Sequence, residues 1–176
     1  MRRLGLTIAA AVLAAGLGGC GKSDANKAGE GAAATASSQP GGSAATEPAA
    51  LSEDEKKALL ASFPAPYNAA DISNGETQFG LCRSCHTINA GGTNMTGPNL
   101  HGVFGKKAGA NNPDYKYSDA IKAATFTWDL PHLDQWLADP KGFLPGTKMT
   151  FAGVKDANDR RDLVAYVAME TGYKPK

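Results

Sequence analysis

Apolar residues recur at helical spacing in several stretches of the chain, and no stretch alternates apolar and polar as a half-buried strand would. Asp129 stands before Leu130, Leu133, Trp136 and Leu137, a stripe that predicts a capped helix ending near Asp139-Pro140. A last helix is predicted to start near Asp156, to carry Leu163, Tyr166 and Val167 on one face, and to stop at Gly172. Upstream, Ser73 and Glu76 read as a capping box opening a helix with Gly75 and Phe79 on one face. Asn111-Asn112-Pro113-Asp114 reads as a turn, followed by a short helix around Ser118 to Ala124. Ser52 with Glu55 predicts one more short helix near 52–62, which Pro64 and Pro66 end before Tyr67. The expected class is all-α, without internal repeats.

The first 20 residues have a different pattern. Arg2 and Arg3 precede an apolar run from Leu4 to Leu17, and Leu17-Gly18-Gly19-Cys20 follows. This run is too short for a stable membrane span and reads as an export signal over 1–19. A cysteine directly after Leu-Gly-Gly resembles a bacterial lipobox, which predicts cleavage before Cys20 and a lipid anchor on its sulfur. From Gly21 to about Ala50 the chain is Gly, Ala, Ser, Thr and Pro with almost no large apolar residue, hence nothing to bury. We read 20–66 as a lipid-anchored flexible linker with a short helix, its unstructured part reaching roughly 30 Å as a random coil. Residues 67–176 form the single domain expected from a chain of 176 residues.

The chemistry lies in Cys82-Arg83-Ser84-Cys85-His86. Two thiols three residues apart can each add to one vinyl group of a porphyrin, and the histidine that follows lies beneath the ring as an iron ligand. A thioredoxin-like dithiol would sit in a βαβ context, and a zinc site would need a second ligand pair; this chain offers neither. One covalent haem c, attached at Cys82 and Cys85 with His86 as proximal ligand, is the expected cofactor. Attachment outside the cytoplasm agrees with the export signal.

The sixth iron position decides what such a protein does. Pro145-Gly146-Thr147-Lys148-Met149-Thr150-Phe151 presents a methionine on a constrained loop, and a neutral thioether favours ferrous iron and raises the potential. Two permanent ligands also leave no open site for small molecules, which argues against an enzyme. Met149 is favoured over Met95 in a Gly-rich loop, Met169 on the last helix, His101 in a loop and His132 on a helix surface.

With these residues assembled, 72 to about 172 resembles a class I cytochrome c of the mitochondrial and α-proteobacterial type, in a lipoprotein-anchored form. The resemblance rests on Cys82, Cys85 and His86, on the run Thr96 to Gly105, on Trp128, on Pro145 to Phe151 and on Asp162 to Tyr166. It implies terminal helices crossed around one haem, with Gly75 and Phe79 packed on Leu163 and Tyr166. It implies that the Pro98 carbonyl accepts from the His86 ring, and that Tyr115, Tyr117 and Trp128 hold the haem propionates. Lys106 departs from an arginine usual near a propionate, Ile121 from a buried asparagine, and Trp136 from a tyrosine beside the methionine.

Charge weakens one family trait. From Tyr67 onward 12 Lys and Arg face 11 Asp and Glu, a balance of +1. Lys141, Lys148 and Lys155 stand where the family rings the haem edge with lysines, while Leu81 and Gly142 replace others. The expectation is a one-electron carrier on the periplasmic side of a bacterial envelope membrane. It would run between membrane redox complexes, such as a quinol:cytochrome c oxidoreductase and a terminal oxidase, without contact to nucleic acid. A dedicated electron-entry module of one periplasmic dehydrogenase is the alternative, and a peroxidase or gas sensor would require a vacant or labile sixth site.

Overall fold

A computed structural model describes residues 51–175 of the chain. The expected export signal, Cys20 and the Gly- and Ala-rich stretch lie outside the described residues. The described part has six helices: α1 (Glu53–Ala61), α2 (Ile72–Phe79), α3 (Asp119–Ala123), α4 (Leu130–Ala138), α5 (Pro140–Phe143) and α6 (Ala157–Glu170). A single 3-10 turn, Tyr67–Ala69, joins α1 to α2. The one β feature among the described residues is an isolated bridge between Lys107 and Thr127, so the all-α expectation holds. None of these helices is long and apolar enough to cross a membrane.

The helix starts follow from side-chain acceptors. At α1 the Ser52 hydroxyl accepts from the Glu55 N–H, and the Glu55 carboxylate accepts from the Ser52 N–H at 2.8 Å, the capping box expected there. Ser118 caps α3, Asp129 caps α4 and Asp156 caps α6, each where the sequence placed a start.

Two local readings are corrected. Ser73 and Glu76 do not form a capping box: Asp71 is the cap of α2, its Oδ1 accepting from the N–H groups of Ser73 at 2.9 Å and Asn74 at 3.1 Å. A carboxylate is a stronger acceptor than a hydroxyl and matches the positive end of the helix, so the start moves two residues upstream. Asp139-Pro140 also does more than end α4. Proline fits the first turn of a helix, and the Asp139 carboxylate accepts from the Gly142 N–H at 3.1 Å, so α5 begins where α4 stops.

The core is the crossing of α2 and α6. Leu163, Val164, Ala165 and Ala168 are fully buried, Phe79 nearly so, and the Phe79 and Tyr166 rings meet at 5.6 Å. Gly75 sits at the closest point, where a Cβ would collide with the Asp162 carbonyl and the Tyr166 Cβ. α1 lies on the flank: Leu59 and Leu60 pack against the core, and the buried Phe63 meets Tyr173 edge-on at 5.4 Å.

Asp162 ties the polar end of this crossing. Only 3 % exposed, it accepts from the Asp71 N–H at 3.0 Å, from Asn74 Nδ2 at 2.9 Å and from the Arg161 guanidinium at 2.7 and 2.8 Å. Burial alone would push its carboxyl up, but the bonds from Asn74, Arg161 and the Asp71 backbone outweigh that and hold it below the usual carboxylate range. A depressed carboxyl contributes stability that is complete above its unfolded value of roughly pH 4 and is lost as pH falls through the folded value. We therefore expect Asp162→Asn to cost about 1–3 kcal/mol at neutral pH and to flatten the acid side of the stability curve. Denaturant unfolding of both proteins from pH 7 down to pH 3 measures this; parallel curves would remove Asp162 from the acid response.

Candidate functional site

A cleft of about 320 Å³ opens between α2, α4, α6 and three loops, with a mostly apolar wall. Leu133, Trp136 and Leu137 reach it from α4, and Leu163 and Val167 from α6. Every haem-site residue expected from the sequence, namely Cys82, Cys85, His86, Pro98, Tyr115, Tyr117, Trp128 and Met149, lies on this wall.

The chain leaves α2 through a tight turn. The Cys82 N–H donates to the Phe79 carbonyl at 2.8 Å, and the Cys85 and His86 N–H groups both donate to the Cys82 carbonyl at 3.0 Å. The winding brings both free thiols and the imidazole to one side within five residues. Burial, and then the neighbouring Cys85, push the Cys82 thiol up to about 11, so before any reaction it is a neutral thiol.

His86 Nδ1 lies 2.7 Å from the Pro98 carbonyl oxygen. A carbonyl only accepts, so Nδ1 carries the proton and Nε2 keeps the lone pair a metal requires. Burial lowers the His86 pKa and the Pro98 bond recovers only part of it, which favours the neutral ring. The loop holding Pro98 is fixed by residues that periodicity did not reveal. Asn99, 5 % exposed, donates through Nδ2 to Thr87 Oγ1 at 2.6 Å and to the Asn89 carbonyl at 3.0 Å, while its own N–H donates to Asn94 Oδ1 at 2.9 Å. Gly97 lies so close to the His86 ring that a Cβ there would overlap it. Their signal was the run Thr96-Gly97-Pro98-Asn99, which resemblance picked out and hydropathy did not.

Among the described residues, Met149 is the one methionine on the cleft wall and His86 the one histidine. Met95 is 46 % exposed, and Met169 is buried in α6 away from the cleft. His101 is exposed, and His132 stacks on Phe126 at 5.1 Å with its Nδ1 2.7 Å from Asp129 Oδ1. Across the wall, Trp128 and Trp136 meet edge-on at 5.6 Å, and Tyr115 and Tyr117 at 4.9 Å. The Tyr115 hydroxyl donates to the Thr96 carbonyl at 2.6 Å, tying its loop to the one that carries Pro98. Ile121 and Trp136 both line the cleft, whereas the Lys106 side chain is exposed and does not.

The donor set fits an iron porphyrin: two thiols, an oriented neutral imidazole packed closely on Gly97, and a thioether from another segment, all on one mostly apolar cleft. The family model described as Cytochrome c matches residues 72–169. The chain belongs to the cytochrome c family. It is 50 % identical to "Cytochrome c" of Theileria parva over 98 residues, covering 55 % of this chain and 84 % of that protein. It is 43 % identical to "Cytochrome c2" of Blastochloris viridis over 109 residues, covering 62 % and 85 %. Among solved structures, cytochrome cH from Methylobacterium extorquens superposes with a TM-score of 0.52 at 45 % identity, covering 56 % of this chain and 97 % of that one. The fold is that of a class I cytochrome c, and the cofactor is one haem c bound covalently through Cys82 and Cys85. The family is one of electron carriers.

The contact at Gly97 makes a testable point. We expect Gly97→Ala to displace the His86 ring and to cost the haem-loaded protein about 1–3 kcal/mol, the usual penalty of overpacking. Thermal unfolding with the oxidised absorbance spectrum reads both effects, and an unchanged midpoint and spectrum would show that the ring does not depend on this glycine.

Proposed function

We propose that this cytochrome c is a membrane-tethered one-electron carrier of the bacterial periplasm, with His86 and Met149 as the two protein ligands of the haem iron. The observation that carries the reading is the presence on one cleft wall of a single histidine and a single methionine, delivered by segments more than sixty residues apart. The haem, when bound, supplies a metal that takes up and gives back one electron.

The chain's own residues then do three things. His86, held by the Pro98 carbonyl, keeps a fixed direction and a neutral ring. Met149 offers a soft, uncharged donor that stabilises the reduced metal and raises the potential. The apolar wall from Ile121, Leu133, Trp136 and Leu163 excludes water and incoming molecules, so the two oxidation states differ little in structure and transfer is fast.

Docking falls to the rim of the cleft. Lys148 and Leu81, the latter 58 % exposed, both lie on that rim, and Lys141 and Lys155 are exposed nearby in the chain. A modest basic patch steers the domain to acidic surfaces of membrane redox complexes, a quinol:cytochrome c oxidoreductase as donor and a terminal oxidase as acceptor. Residues 1–19 act as the export signal, Cys20 carries the lipid, and the segment after it is the tether. A tether raises the effective concentration of a carrier near its partners, so long-range attraction is less needed at a net charge of +1.

Two experiments test this reading. Met149→Ala is expected to lower the reduction potential by on the order of 0.2 V, within the roughly 0.8 V that axial ligands span, and to let the reduced protein bind carbon monoxide rapidly, whereas the parent protein binds it only as slowly as its methionine loop opens. An unchanged potential and spectrum would mean another ligand. Cys20→Ser is expected to move the whole haem protein from the membrane fraction to the soluble periplasmic fraction, and persistent attachment would refute the lipid anchor.

A further inference from the structure

The segment that carries Met149 is thinly held. The Thr147 N–H donates to the Leu144 carbonyl at 3.2 Å and the Val154 N–H to the Leu137 carbonyl at 2.8 Å, but no backbone N–H between them reaches a backbone carbonyl. The Met149 N–H itself turns to Thr147 Oγ1 at 3.2 Å. Such a stretch opens at low free-energy cost unless side chains close it.

Its far end is closed by Arg160. From α6, Arg160 Nε donates to Asp134 Oδ1 of α4 at 2.6 Å, and its Nη1 donates to the Val154 carbonyl at 2.9 Å and the Lys155 carbonyl at 3.4 Å. The side chains are only 15 % and 30 % exposed, so the pair is partly shielded from solvent. One planar guanidinium thus joins two helices to the end of the loop, a task its fork of donors suits. The path there is narrow: Gly153 has φ +90°, and a Cβ on it would collide with the Ala138 carbonyl at the end of α4. Lys155 Nζ adds a bond to that same carbonyl at 2.7 Å.

We propose that Arg160, braced by Asp134, is the positioning residue for Met149: the pair pins the end of the loop that presents the thioether and so sets how firmly the sulfur stays in place. Neither residue lines the cleft, so the effect travels through the loop. The proposal rests on Met149 being the sulfur ligand. It also separates position from charge. Arg160→Ala removes a positive charge and Asp134→Ala a negative one, so a purely electrostatic effect would have opposite signs in the two, whereas loosening has the same sign.

The test uses the full-length, haem-loaded protein and its Arg160→Ala, Asp134→Ala and Phe63→Ala variants. Three quantities are read: the far-red sulfur-to-iron band of the oxidised form, carbon monoxide binding by the reduced form, and hydrogen exchange of the bonded amides of Thr147, Met149 and Val154. We expect Arg160→Ala to speed exchange and carbon monoxide binding about tenfold, equivalent to ~1.4 kcal/mol of loop opening, and to weaken the far-red band. Asp134→Ala should act in the same direction, severalfold, and it keeps the test alive if Arg160→Ala does not fold. Phe63→Ala, which removes a buried ring from the α1 flank and does not line the cleft, should lower the unfolding midpoint while leaving all three readings at their parent values. Parent-like readings in both clamp variants, opposite shifts in the two, or equal shifts in Phe63→Ala would each overturn the proposal. A parent protein without the far-red band would instead overturn the Met149 assignment, and the proposal with it.

Discussion

The close approach of α2 to α6 at Gly75 is the constraint on which the rest is built. With hydrogen in place of a side chain, the backbone of α2 lies directly against the Asp162 carbonyl and the Tyr166 Cβ. That contact fixes where α2 ends, and therefore where the turn through Cys82, Cys85 and His86 begins. It fixes equally which residues of α6 face inward, so Leu163 and Val167 become cleft wall while Asp162 seals the polar end. The close contact, the polar seal and the aromatic pair of Phe79 with Tyr166 act at one crossing, so loss of any one loosens both partners of the site together.

The remaining site is carried by irregular chain, and there backbone carbonyls do what helices do elsewhere. The Pro98 carbonyl orients His86, the Thr96 carbonyl receives Tyr115, and the Val154 carbonyl receives Arg160. Each of these acceptors belongs to a loop, and each donor is a side chain from another part of the chain. Loops fastened in this way have a defined position without regular structure, provided that the donors are themselves held. Asn99 shows the provision being met: one buried amide bonds Thr87 and Asn89 and so sets the frame in which the Pro98 carbonyl can point at one atom.

The reading from sequence succeeded where a single local rule decides. The stripe Leu130, Leu133, Trp136, Leu137 and the caps Asp129 and Asp156 gave α4 and α6 nearly to the residue, since an amphipathic face and a capping acceptor both act within a few residues. It failed where two local rules competed. Ser73 satisfied a capping pattern, but Asp71 offered a stronger acceptor two residues earlier, and its own N–H was already claimed by Asp162, ninety-one residues away. Pro140 was read as a stop when Asp139 made it a start. The attachment residues were legible because covalent chemistry demands a fixed spacing at Cys82 and Cys85. The brace from Asp134 to Arg160 was not, because ion pairs between helices have no sequence period.

Polarity is distributed to suit the site. The cleft needs an apolar wall so that a buried metal changes charge without drawing water after it, yet the loops around it carry many polar backbone groups. Among the described residues no buried side-chain nitrogen or oxygen is left without a partner, so the wall is kept apolar by pairing polar atoms with one another behind it. Asp162 and the Arg160 guanidinium act behind the wall and Asn99 on it, each satisfying several groups at once. The cost is concentration: a few side chains hold many bonds, so local order around the cleft depends on Asp162 and Arg160, which do not line it, as much as on the wall itself.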